Sequence, residues 1–197
     1  MARGRPRKID PEIVLDKAMY VFWERGFEAT SMNDISAETG MAKPGLYANF
    51  GDKEQLYCAT LKHYNAKFGS QPARALMAGK GSLRGSLELF LKTTADFVLD
   101  SKQPGGCFVV NNNVECANSH PAITEINQDF DEQLRGVFIE RFEKAKADGD
   151  LPQEADISRT VDFFIGQTVA LGVLAKRGYD KKALYNLIEI ALSTLPK

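Results

Sequence analysis

Apolar side chains recur every three to four residues along most of the chain, and this spacing predicts an all-α protein. The clearest stripe covers 83–98 and follows Ser82, which is suited to cap a helix. An aromatic stripe begins after Pro121 and continues to about 147. Helices are expected over about 11–25, 53–68, 83–98, 121–147, 156–177 and 180–195, with a partly helical linker at 69–82.

The segment 31–50 predicts two short helices joined by a tight turn. Ser31 is suited to cap the first helix, and Asp34 three residues later completes a capping box. Gly40 stands where a left-handed residue ends a helix, and Pro44 is tolerated at the start of the next one. This is the layout of a helix-turn-helix, whose second helix can enter the DNA major groove. A helical hairpin that only packs is the alternative.

A further helix is expected after this motif. Asp52 and Gln55 form a second capping box, and Lys53 falls in the first turn, where free N–H groups attract an anion such as phosphate. With these residues in place, the region 9–57 resembles the TetR/AcrR-type bacterial transcriptional regulators. The resemblance rests on Gly26-Phe27, Thr30-Ser31, Ile35, Gly40, Lys43-Pro44-Gly45-Leu46-Tyr47, Phe50 and Lys53-Glu54-Gln55-Leu56.

The resemblance implies a basic arm at 1–8, a helix-turn-helix DNA-binding domain at 9–68, and an effector-binding and dimerisation domain at 69–197. The implied fold is all-α, with a three-helix helix-turn-helix domain at the N-terminus and a helical ligand-binding and dimerisation domain at the C-terminus. The implied DNA contacts are Ser31, Asn33, Lys43, Pro44, Gly45, Tyr47, Ala48, Asn49 and Lys53. Because Gly45 and Ala48 stand where relatives often carry larger base-reading side chains, base recognition is expected to rest on Asn33, Lys43 and the arm.

The first eight residues form a basic segment. They read MARGRPRK and carry Arg3, Arg5 and Arg7 without any acidic residue. An extended basic strand of this kind fits a narrow A·T-rich minor groove, where the negative potential is strongest. A solvated tail is the alternative.

Overall composition limits the kind of partner. The chain has 197 residues, 44% of them hydrophobic, and a net charge of −1, so binding to nucleic acid requires a local basic patch. Its Arg-rich start lacks an apolar stretch typical of a secretion signal, and no run approaches the roughly 18 apolar residues of a membrane helix. Three cysteines then favour free thiols in a bacterial cytoplasm.

The segment 106–116, GCFVVNNNVEC, is similar to a G-C-x-x-x-N-x-x-x-E pattern in one branch of the family. In that branch the segment is a short helix beside the ligand pocket. Its polar side chains need hydrogen-bond partners if they are buried, and a ligand can supply them. The expected pocket residues are Phe90, Thr94, Phe97, Cys107, Asn111, Glu115, Phe130, Leu134, Phe138, Phe164 and Gln167.

Cys107 follows two glycines near a predicted helix start, where the helix dipole favours the reactive thiolate. The thiol is therefore either a redox or electrophile sensor or a small packing residue. Cys107, Cys116 and His120 could suggest a metal site, but they are one ligand short of four and Pro121 interrupts the helix after His120. Neither a metal nor a cofactor is expected.

Two helices are expected at the end of the chain, and the first is apolar nearly all round over 161–175. Such a helix must be buried, either inside the chain or against a second copy around a two-fold axis. The family resemblance implies a four-helix dimer interface. The expected interface residues are Val161, Phe164, Ile165, Gly172, Leu184 and Ile188.

Together these patterns and the family resemblance imply a ligand-responsive regulator that binds a palindrome in double-stranded DNA as a homodimer, with a repressor as the family expectation. Its small effector is not identified by the sequence. An enzyme is not expected, because the chain shows no nucleophile–base pair, no Gly-rich phosphate loop and only two histidines. The remaining alternatives are a thiol-switched regulator acting through Cys107 and a helical adaptor that does not bind DNA.

Overall fold

The computed structural model describes residues 9–78, 81–116 and 119–195, and in this part of the chain helices joined by turns and loops are the only regular secondary structure, without strands. The helices are α1 Pro11–Arg25, α2 Met32–Thr39, α3 Lys43–Phe50, α4 Lys53–Tyr64, α5 Ser70–Ala78, α6 Leu83–Val98, α7 Phe108–Cys116, α8 Pro121–Ala147, α9 Ile157–Lys176 and α10 Lys181–Leu192. The all-α prediction is confirmed.

Local capping fixes the N-terminal helices where the sequence places them. The capping box of Ser31 and Asp34 is complete, and Gly40 ends α2 in the left-handed conformation at φ 75°. Asp52 and Gln55 form the second complete box, which starts α4. Helix α3 begins at Lys43, one residue before the proline that the sequence marks as its start. The arm residues Arg3, Arg5 and Arg7 lie outside the described residues.

The segment after α4 is partly helical, as the sequence predicts. A π-helical stretch, Asn65–Gly69, leads directly into α5, although the Gly, Ser and Ala residues here favour a loop. Leu76 helps to hold α5 in place, because its side chain is fully buried against α6 and α8. Tertiary packing therefore overrides weak local propensity.

Two hydrophobic clusters hold the molecule together. The N-terminal core consists of Val14, Ala18, Met19, Val21, Phe22, Trp23, Phe27, Met32, Ile35, Leu46, Leu56, Tyr57, Leu61, Tyr64, Phe108, Cys116, Ile123 and Ile126. The C-terminal core joins α5, α6, α8, α9 and α10. Helix α7 and the start of α8 thus contribute side chains to the N-terminal core, and Phe97 and Cys107 touch both clusters.

The terminal helices correct the predicted interface. Five of the six expected residues are buried within the single chain and have no surface to offer a second copy: Val161, Phe164, Gly172, Leu184 and Ile188. Ile165 is half-buried. The apolar side chains that do stay exposed on these helices include Phe163, Val169 and Ile190.

Helix α9 also bears on the membrane prediction. It has 20 residues and a mean hydropathy of 1.2 in its most apolar window, so it is long and apolar enough to cross a membrane. The mostly buried core helix of a globular protein meets the same criterion; α9 packs against α6, α8 and α10, but only 22% of that window is buried within the chain. The expectation from sequence that no segment approaches this limit was therefore too strict.

Candidate nucleic-acid interface

Helices α2 and α3 pack against the N-terminal core through a few buried side chains. Ile35 and Leu46 are fully buried and Met32 is nearly so. With these three facing inward, Asn33, Lys43 and Tyr47 point away from the core and are exposed. Tyr47 leaves 51% of its surface accessible, which is unusual for a large aromatic side chain.

A groove of about 430 Å³ runs along this surface, and its walls are formed by the residues 28–33 together with Lys43, Tyr47 and Lys53. Five of the predicted DNA contacts therefore lie in the groove: Ser31, Asn33, Lys43, Tyr47 and Lys53. Pro44, Ala48 and Asn49 are exposed on α3, and Gly45 is half-buried there.

Several predicted contacts already have partners inside the chain, and Ser31 bonds to Asp34 in the capping box of α2. The Asn49 side-chain amide donates to the Gly45 carbonyl at 2.7 Å. The Lys53 ammonium donates to the Phe27 carbonyl at 3.0 Å and lies 4.2 Å from the centre of the Phe27 ring. A Cβ at Gly45 would come within 3.1 Å of Met41 Cγ, so glycine allows the tight α2–α3 turn. Lys43 and Tyr47 are the more available groups of the surface.

Glu115 holds the turn between α1 and α2. Its two carboxylate oxygens accept the backbone N–H groups of Phe27 and Glu28, each at 2.9 Å. At Gly26 the backbone has φ 85°, and a Cβ there would meet the Glu115 oxygens at 2.6 and 2.7 Å. The sequence placed Glu115 in a ligand pocket and missed this contact, because the two partners are 88 residues apart and no local pattern links them.

A buried chain of hydrogen bonds links α4 to α7 and α8 near the Glu115 contact. The Tyr57 hydroxyl donates to Asn112 Oδ1 at 2.7 Å, and Asn112 Nδ2 donates to Asn127 Oδ1 at 3.1 Å. Tyr57 and Asn112 are each 1% exposed. Burial raises the pKa of the Tyr57 phenol far above its usual value, so the hydroxyl remains a donor.

His120 adds a third contact at the start of α8. Its ring nitrogens lie 3.1 Å from Glu28 and 3.4 Å from Glu54. The hydrogen bond to Glu28, followed by that to Glu54, raises the pKa of the imidazole above its usual value. We call this set of long-range polar contacts the seam: Glu115 with Phe27 and Glu28, Asn112 with Tyr57, and His120 with Glu28 and Glu54.

The predicted ligand-pocket residues do not gather in one place. Phe90, Phe138 and Phe164 are packed in the C-terminal core. Leu134 contacts the same core, Phe130 contacts the N-terminal one, and Phe97 lies between them. Thr94 and Gln167 bond to carbonyls four residues earlier on their own helices. Asn111 and Glu115 line a cavity of about 190 Å³ between α1, α4, α7 and the end of α9.

The three cysteines are all free thiols but differ in setting. Burial raises the pKa of the Cys116 thiol to about 11 and also raises that of Cys58, so both stay protonated at neutral pH. Cys107 is half-buried between the two cores, with its sulfur 3.5 Å from the Tyr64 hydroxyl. Cys58 lies on α4 itself, whereas Cys107, just before α7, contacts α4 from the neighbouring segment through Tyr64.

Two family models match the chain. Residues 14–60 match "Bacterial regulatory proteins, tetR family", and residues 85–190 match "Tetracyclin repressor-like, C-terminal domain". The transcriptional repressor ComR of Escherichia coli is 30% identical over 98% of this chain and 91% of its own length. The uncharacterized transcriptional regulator YezE of Bacillus subtilis is 26% identical over 98% of this chain and 99% of its own.

A solved structure shows the same fold. The regulator CifR, a cysteine mutant in complex with 26-base-pair operator DNA, superimposes with a TM-score of 0.90 at 30% identity, covering 98% of this chain and 100% of that one. An N-terminal helix-turn-helix region and a C-terminal helical region are thus matched in both sequence and structure. The chain belongs to the TetR family of bacterial transcriptional regulators.

Proposed function

We propose that this protein is a ligand-responsive repressor that acts in the bacterial cytoplasm. It binds a palindromic operator as a homodimer through residues 9–68, and residues 69–197 bind the effector and form the dimer. The observation that carries the proposal is the groove that gathers Ser31, Asn33, Lys43, Tyr47 and Lys53. The repressor name of ComR and the operator complex of CifR support it.

The exposed surface of α9 and α10 supports the dimer. Phe163, Val169 and Ile190 remain 39%, 44% and 67% exposed on two adjacent terminal helices. Covering apolar side chains of this size against a second copy removes them from water, and a two-fold axis makes one such surface complementary to itself. The dimer then sets two copies of α3 against successive major grooves.

Selection of bound sequences from a random DNA pool tests the proposal directly. At a stated salt concentration, purified protein should enrich a palindrome. Lys43→Ala should weaken binding and reduce the slope of log affinity against log salt by about one, since one phosphate contact is lost. Lys102→Ala, which removes an exposed lysine before α7, is the matched control. If folded, dimeric protein enriches no sequence, the proposal fails.

A thiol-switched regulator is the second candidate, favoured by the contact between Cys107 and Tyr64 on α4. Oxidation of Cys107 would add a polar group between the two cores and disturb α4. Peroxide should then release DNA from the wild type and from Cys58→Ser but not from Cys107→Ser. Release from all three proteins would exclude Cys107 as the sensor.

A further inference from the structure

The groove on the α2–α3 surface contains an acid among its basic residues. Within the part of the chain that the structure describes, its walls carry Glu28 beside the two lysines Lys43 and Lys53. The Glu28 side chain is 66% exposed, so its charge faces the solvent from which DNA approaches. Exposed charges interact over about 8–10 Å at physiological salt, and a phosphate held by the lysines would therefore be repelled by this carboxylate.

His120, at the start of α8, bridges this carboxylate to a second one. Its Nε2 lies 3.1 Å from Glu28 Oε1, and its Nδ1 lies 3.4 Å from Glu54 Oε2. A neutral imidazole has one N–H and the imidazolium has two, so only the imidazolium donates to both carboxylates. The charged ring neutralises Glu28 and holds it in place, whereas the neutral ring leaves one carboxylate without a donor.

Other charged and titratable groups of the described chain surround this ring on the neighbouring helices: Glu54 and Lys53 on α4, and Glu115 and Cys116 on α7. Lys53 is bonded to the Phe27 carbonyl, and Glu115 to the N–H groups of Phe27 and Glu28. Burial raises the pKa of the Cys116 thiol to about 11, so it stays neutral. Imidazole is the one group of this set whose charge ordinarily changes between about pH 5 and 8.

We propose that His120 is a positioning residue for DNA binding, which acts through Glu28 and makes the affinity for the operator fall as pH rises. The inference rests on the proposed function, because it requires DNA phosphates to enter the α2–α3 groove. With His120 charged, Glu28 is neutralised and the two lysines attract phosphate. With His120 neutral, Glu28 opposes them. By linkage, a bound phosphate favours the charged ring, so DNA binding takes up protons where His120 is partly neutral.

The test is the affinity for the selected palindrome at about pH 6 and about pH 8.5, at constant ionic strength. The wild type should bind at least about threefold more weakly at the higher pH, a change within the range of an exposed ion pair. His120→Gln should remove this fall and bind as weakly as the wild type does at the higher pH. The His120 side chain makes no capping bond to α8, so the helix start does not depend on it.

The other histidine of the chain provides a matched control. His63 has a side chain that is 22% exposed, as that of His120 is, and its Nε2 lies 3.2 Å from a carboxylate oxygen of Asp16, which is not in the groove wall. His63→Gln should keep the fall in affinity. The α-amino group of a chain also titrates in this range, so the part of the fall that His120→Gln removes is the part that counts.

Two glutamate variants test whether the effect passes through Glu28. Glu28→Gln removes the repelling charge, so its affinity at the higher pH should at least equal that of the wild type at the lower pH. Glu54→Gln removes a carboxylate that lies outside the groove wall and should keep the fall in affinity, displaced to lower pH. A fall that survives in full in Glu28→Gln would overturn the proposal.

The pattern across the two pH values separates the ways in which the account can fail. A palindrome bound equally well at both values overturns this inference alone. If His120→Gln weakens binding by the same factor at both values, the residue is merely structural and the inference is again overturned. If folded, dimeric wild type binds no palindrome at either value, the proposed function fails and this inference falls with it. Circular dichroism at both values shows that each variant is folded.

Discussion

The α2–α3 surface and the seam are both polar, but they are built in opposite ways. On the α2–α3 surface most side chains either bond to groups within a few residues, as Ser31 does with Asp34 and Asn49 with Gly45, or remain exposed, as Tyr47 does. Lys53, which bonds to the Phe27 carbonyl, is the exception. In the seam each bond joins residues 55 to 92 positions apart. The first surface is free to meet a partner, whereas the second is already occupied by the chain itself.

This difference indicates that the two regions have different roles. A surface whose side chains make few hydrogen bonds within the protein can exchange water for phosphate oxygens without first breaking such bonds. The seam combines the buried bond between Tyr57 and Asn112 with part-buried and exposed ones, and its two Glu115 bonds fix the turn at Phe27 and Glu28 relative to α7. Apart from Glu28, which also lines the groove, the seam therefore belongs to the part of the molecule that positions α2 and α3 rather than to the proposed DNA surface.

The largest effect is expected at Gly26. Gly26→Ala forces the Glu115 carboxylate off the turn, because the new Cβ would lie 2.6 Å from one of its oxygens. Gly149→Ala is the control, since its φ of 78° carries a similar backbone strain but, within the described residues, no atom lies within 4 Å of its Cβ. Urea unfolding should show a loss about 1–3 kcal/mol greater at Gly26. Equal losses would mean that the Glu115 contact contributes nothing to stability.

An intermediate effect is expected at Tyr57. Tyr57→Phe leaves Asn112 Oδ1 buried without the hydroxyl that donates to it, which should lower the free energy of unfolding by about 1–2 kcal/mol. Tyr185→Phe removes a hydroxyl that donates to Asp96 near the surface and should cost less than about 0.5 kcal/mol. A loss at Tyr185 that matches the loss at Tyr57 would show that burial of the seam pair has no special value.

The smallest effect is expected from His120. Its pKa is raised in the folded state by Glu28 and Glu54, so its contribution is complete below the unfolded value of about 6.5 and is lost as pH rises through the folded value. As an exposed ion pair it should be worth less than about 1 kcal/mol. Unfolding measured against pH in a His63→Gln background should show this decline, and His120→Gln should remove it. A decline that persists would assign the effect to other groups.

The sequence predicted the features that are determined by residues close together in the chain. Proline at the start of α8, the caps of α2 and α4, and the apolar stripes of α6 and α8 each lie within a few residues of what they determine. The predicted DNA contacts share this property and lie together, although they remain predictions. The seam, the π-helical stretch and the burial of Phe164 and Leu184 could not be predicted from the sequence, because each depends on partners far away in the chain.

The seam's control over the α2–α3 surface is the central claim, and affinity for the selected palindrome tests it most directly. Glu115→Gln places an amide N–H₂ where a carboxylate oxygen accepted a backbone N–H, while leaving the α2–α3 surface unchanged. Glu143→Gln, at an exposed position on α8, is its control. At a temperature where both variants are folded, Glu115→Gln should change DNA affinity at least fivefold and Glu143→Gln should not. Equal affinity of both variants and the wild type would contradict the claim.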